Sequence, residues 1–134
     1  MAKYVYPAIF TPEDNGQYSI RFPDIKNCFT GADSLPEAMD MANDVLCLML
    51  YDMELAKKEV PSASPVADIQ LQTEDGEFVT LIACDTDEYR RKNDNRAVKK
   101  TLSIPSWLNA QAERAGVNFS QVLQDALKEK LNVG

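Results

Sequence analysis

The sequence predicts an α+β protein in two modules: a β-β-β-α-β domain over residues 1–89, then a strand and two helices over 98–134, with a basic linker at 90–97. Three observations carry this. Runs rich in aromatic and β-branched residues alternate with turn residues early in the chain, one long helical period follows them, and the charge changes sign late. Residues 1–89 hold five basic and seventeen acidic side chains, net −12; residues 90–134 hold nine basic and four acidic, net +5, together the −7 of the whole chain. The change falls where Asp85-Thr86-Asp87-Glu88-Tyr89 meets Arg90-Arg91-Lys92-Asn93-Asp94-Asn95-Arg96. That second stretch has no apolar residue to bury, so it reads as a linker between modules with different electrostatic partners.

Residues 3–11 are aromatic and β-branched on both faces and predict the first strand. Pro12-Glu-Asp-Asn-Gly16 supplies the turn, Asn15-Gly16 being the favoured hairpin pair. Gln17 to Phe22 alternates, with Tyr18, Ile20 and Phe22 on one side and Ser19 and Arg21 on the other, and a short third strand fits Cys28–Ala32. Ser34-Leu35-Pro36-Glu37 is a capping box opening a helix whose Leu35, Ala38, Ala42, Val45, Leu46, Met49 and Met53 share one face. Asp40, Asn43, Asp44 and Asp52 lie outside that face. Pro61 to Pro65 is a loop. Phe78 to Cys84, apolar on both faces, predicts a central last strand in an antiparallel sheet with one helix on one side.

In the second module, Val98 to Pro105 predicts a strand with Lys99, Thr101 and Ser103 on one face and Lys100, Leu102 and Ile104 on the other. Helices follow from about Ser106 to Ala115, stopped by Gly116, and from the cap Asn118 through Val122, Leu123, Ala126, Leu127 and Leu131. A strand and two helices of this size cannot bury a sufficient core, and a lone strand leaves both edges unpaired. Pairing with a second copy solves both problems, as a two-stranded antiparallel ribbon over four intertwined helices. Such a ribbon fits the major groove of DNA and would present Lys99, Thr101 and Ser103 twice, with Lys100 reaching the phosphate backbone from the inner side. Asn118 and Ser120 at the second helix's start add N–H groups suited to a phosphate. The rival readings of this module are a plain dimer clasp and a helix-turn-helix.

Histidine is absent, which excludes serine–histidine and cysteine–histidine catalysis and histidine-ligated zinc. Cys28, Cys47 and Cys84 form no CxxC pair and fit a reducing compartment; Cys47 and Cys84, in apolar surroundings, read as small buried hydrophobes. Asp14, Asp24, Asp33 and Asp40 fall in turns or on the helix's outer face, with no spacing that aims two at one metal. No catalytic residue, metal or cofactor is expected. The longest apolar run, Val45 to Tyr51, is too short for a membrane span, and the N-terminus has no leader pattern, so the expected address is cytoplasmic.

Tyr6-Pro-Ala-Ile-Phe-Thr-Pro-Glu-Asp-Asn-Gly-Gln-Tyr-Ser-Ile-Arg-Phe-Pro-Asp24, Cys28-Phe-Thr-Gly31 and Asp33-Ser-Leu-Pro-Glu-Ala38 resemble the HicB antitoxins. Lys99-Lys-Thr-Leu-Ser-Ile-Pro-Ser-Trp-Leu108 and Gly116-Val-Asn-Phe-Ser-Gln-Val-Leu-Gln124 are similar to the ribbon-helix-helix ending of one HicB branch. The resemblance implies a type II toxin–antitoxin system. Its acidic domain would have a partial, catalytically inert ribonuclease-H-like fold and bind HicA, a small toxin that cleaves mRNA. Its second domain would bind operator double-stranded DNA as a homodimer, which can carry a larger hetero-oligomer. Candidate toxin contacts are Asp85, Asp87 and Glu88. Two alternatives from other classes are a metal-dependent nuclease and a stand-alone transcription repressor with a ligand-sensing N-terminal domain.

Overall fold

The computed structural model describes residues 3–94 and 96–134. By contacts the chain divides into two compact units, Met1–Arg96 and Ala97–Gly134.

In the first unit, β1 (Lys3–Pro12), β2 (Tyr18–Arg21), β3 (Phe29–Ala32) and β4 (Phe78–Asp85) form one sheet of order β3-β2-β1-β4, antiparallel at every pairing. The β1–β2 connection is a five-residue loop rather than a two-residue turn: Glu13 N–H donates to the Gln17 carbonyl at 2.8 Å, and Gly16 takes the φ of +84° that closes it. One face of the sheet is covered by α1 (Leu35–Leu55). Tyr6, Ala8 and Phe10 of β1, Ile20, Ile82 and Cys84 meet Ala38, Ala42, Leu46, Cys47 and Leu50 of α1 there in the main core. Small alanines at i and i+4 let the helix approach the sheet closely. Ser34 caps α1, accepting from Glu37 N–H at 3.3 Å, while the Glu37 carboxylate accepts from Asp33 N–H. The box thus reaches back one residue further than its simplest form.

The structure corrects three expectations. The last strand, β4, is an edge; the central position belongs to β1, which is apolar on both faces for that reason. A second helix, α2 (Val66–Gln70), packs on β1 and β4, the side of Pro7 and Ile9 being opposite to that of α1 by strand alternation. It buries Ile69, so the sheet has helices on both sides. Finally, residues 90–93 are not linker but the end of a third helix, α3 (Thr86–Asn93). Asp85 caps it through the N–H groups of Asp87 (3.0 Å) and Glu88 (3.2 Å), and acids in its first turn with cations in its last suit the helix dipole. Its anchor is Tyr89, just before the run judged unburiable, its ring tilted 56° against that of Tyr51 of α1 with centroids 5.6 Å apart. Asn95, also within the expected linker, lies outside the described residues.

The boundary shift changes the charge balance. Unit 1 through Arg96 carries nine basic and eighteen acidic side chains, net −9, and residues 97–134 carry five and three, net +2. Arg90 and Arg96 converge on Asp94, and Lys92 pairs with Glu88.

In the second unit, α4 (Ser106–Arg114) and α5 (Phe119–Leu131) flank Gly116, whose φ of +70° ends the first of them. Residues 97–105 form neither helix nor ladder within the single chain. No described residue of this unit is buried; Leu102, Trp107 and Leu131 are each nearly two-thirds exposed.

Candidate protein and nucleic-acid interfaces

Two surfaces concentrate the chemistry. The first is a groove of about 480 Å³ between α1 and α3, walled by Asp40, Asp44 and Cys47 on one side and Asp85, Glu88 and Tyr89 on the other. Asp40 and Asp44 stand one helical turn apart and are exposed, so their charges add along one flank. Beneath them Asn43 donates its side-chain amide to the backbone carbonyl of Ala83, which fixes α1 against the end of β4. Cys47 is held below its ordinary pKa by the Cys84 thiol that hydrogen-bonds to it, and Cys84 is pushed up correspondingly. Burial pushes Cys28 to about 11. All three cysteines are buried, Cys47 and Cys84 as read from the sequence.

Chemically, the groove can attract a cationic group. Lys92 also lines the groove, paired with Glu88 at 3.0 Å. Among the described residues no group of three or more His, Cys, Asp or Glu is placed to hold a metal ion. The groove is open rather than enclosed, unlike the pocket that a small-ligand sensor needs. Of the candidate toxin contacts, Asp85 and Glu88 line the groove, whereas Asp87 lies in the first turn of α3 outside that lining. Asp85 also has a structural role, since its side chain caps α3. Asp40 and Asp44 were visible in the sequence only as solvated helix residues. Their role in the groove depends on α3 docking opposite them.

The second surface is the stretch 97–105, where Lys99, Lys100, Thr101 and Ser103 are all exposed. Asn118 caps α5, its side-chain oxygen accepting from Gln121 N–H at 3.1 Å, and Ser120 sits in that helix's first turn. Among the described residues no helix is long and apolar enough to cross a membrane.

Residues 6–127 match the family model described as the HicB-like antitoxin of bacterial toxin–antitoxin systems. A chain of a toxin–antitoxin complex from Streptococcus pneumoniae is 28% identical, with a TM-score of 0.62 over 96% of this chain and 99% of that one. The antitoxin HicB of Burkholderia pseudomallei shares the fold at 18% identity and a TM-score of 0.54, over 96% of this chain and 98% of its own. An uncharacterized 14.9 kDa protein from the rep–hol intergenic region of Haemophilus phage HP1 is 28% identical over 105 residues, 78% of this chain and 75% of its own. With the family match spanning both units, the chain belongs to the HicB-like antitoxins of bacterial toxin–antitoxin systems, proteins that are not enzymes.

Proposed function

We propose that this antitoxin neutralises a small HicA-like, mRNA-cleaving toxin through unit 1 and represses its own operon, in the cytoplasm, through unit 2. The observation that carries the reading is the contrast between the units. Unit 1 has a finished core and a net charge of −9, which suits a partner whose surface must be basic to hold RNA. Unit 2 is unfinished: its apolar side chains are uncovered. A second copy would cover them and would pair residues 98–105 into the ribbon of a ribbon-helix-helix dimer. Lys99, Thr101 and Ser103 would then face the major groove, Lys100 would approach the backbone, and Asn118 and Ser120 would meet phosphates. Asp85, Asp87 and Glu88 are the proposed toxin contacts on unit 1, joined by Asp40 and Asp44 across the groove.

Fluorescence anisotropy against the DNA upstream of its own gene tests the repressor half. The wild type should bind with a steep salt dependence, and a Lys99/Thr101/Ser103 triple-alanine variant should lose it. Equal binding by both would reduce unit 2 to a dimer clasp. Toxin ribonuclease activity should vanish at saturating full-length chain; undiminished cleavage would overturn the antitoxin half.

A further inference from the structure

The outer side of β4 is an open sheet edge with an apolar row beside it. Pro7 has no N–H and stands opposite Leu81, which fits a non-hydrogen-bonded β1–β4 pair. The ladder then alternates so that Phe78, Thr80, Ile82 and Cys84 bond to β1, while Val79, Leu81 and Ala83 turn their N–H and C=O groups outward. The Asn43 amide on the Ala83 carbonyl agrees with that assignment. Among the described residues no strand pairs with this side of β4. The same three residues place their side chains opposite α1, where Leu81 and the neighbouring Val5 are each about half exposed beyond the cover of α2. Apolar side chains beside a ladder open at all its outward groups but the Ala83 carbonyl are what a protein normally avoids on an edge.

Carboxylates bracket the edge. Glu74 and Asp75 precede β4, Asp85 and Glu88 follow it, and Asp40 and Asp44 flank Asn43 on the α1 side. Two copies meeting antiparallel along this edge would set the acids before β4 of one against those after β4 of the other, so a second copy is repelled. A basic strand is attracted. We infer that the β4 edge takes up a strand of the basic toxin, extending the sheet by β-augmentation; this deepens the antitoxin reading above and rests on it. Strand alternation specifies the guest: Lys or Arg on the side facing Asp40 and Asp44, apolar residues on the side facing Val5 and Leu81.

The test uses full-length antitoxin and a purified HicA-like toxin from the same operon in a variant without ribonuclease activity. Residue-resolved amide exchange of the wild type should show Val79, Leu81 and Ala83 exchanging fast alone and becoming protected when toxin is added. Leu81→Pro, which removes only an outward N–H, should keep the thermal unfolding curve and weaken toxin binding about tenfold or more. Leu81→Lys, which adds a repelling charge on the apolar side, should also weaken it. Toxin binding by the wild type with no new protection at 79–83 would overturn the edge assignment and leave the antitoxin reading standing. Protection that rises with antitoxin concentration and without toxin would assign the edge to a second copy instead. No toxin binding by the wild type would overturn both. Should Leu81→Pro fold poorly, the wild-type exchange pattern decides.

Discussion

At the scale of single residues, one end of the sheet, on the side of Pro7 and Ile9, is held by a polar cluster assembled across 66 positions of sequence. Glu77 accepts from Arg21 at 3.0 Å, from the Thr11 hydroxyl and from the Glu74 backbone N–H. These contacts, led by the Arg21 hydrogen bond, pull its carboxyl from 4.5 to about 2. Glu77 therefore adds stability above pH 4.5 and gives it up as the pH falls toward 2. Glu77→Gln should melt below the wild type at pH 7, with the two melting curves converging near pH 2; a constant gap over that range would show the charge to be irrelevant. Part of the acid loss should survive the substitution, because Arg96 holds the Asp94 carboxyl low as well. The sequence showed Arg21 pointing away from the core through simple alternation. It could not show Glu77 as the partner, since nothing local links two residues 56 apart.

Among the elements, those specified by neighbouring residues were legible and those specified by distant cover were not. The capping box of α1 and the Gly116 break between α4 and α5 are local chemistry, and both stand where the sequence put them. The apolar pattern of β4 was read as a mark of centrality, yet part of its second face is covered by α2, only five residues long and without a helical period to detect. In α3, counting apolar residues from Arg90 onward missed Tyr89 one position earlier. The Asp85 cap offers a test that separates folding from recognition. Asp85→Ala should cost about 1 kcal/mol in a urea melt by fraying α3, whereas Asp85→Asn, which caps equally well, should leave stability near the wild type. If Asp85 also attracts the toxin, the Asn variant alone should weaken toxin binding without loss of stability. Equal stability of the Ala and Asn variants would show that the cap contributes nothing.

On the scale of the whole molecule, all five tyrosines fall in unit 1 and the single tryptophan, Trp107, in unit 2. Each unit thus has its own optical reporter. Tyrosine near-ultraviolet dichroism should follow a denaturation midpoint independent of protein concentration. Trp107 fluorescence should follow one that rises with concentration, as mass action requires of a unit completed by a second copy. Coincident, concentration-independent midpoints would refute the dimer. The sign change in charge placed the division near residue 92, whereas contacts divide the chain after Arg96, and Arg90 and Lys92 of α3 pair with acids of their own unit. Until a second copy pairs with it, the exposed stretch 97–105 is also an accessible place for a protease, lying beyond every buried residue of unit 1. On the function proposed above, a single cut there would silence the repressor and spare the antidote. Transcription of the operon could then resume, replenishing both proteins, while toxin already made stayed bound.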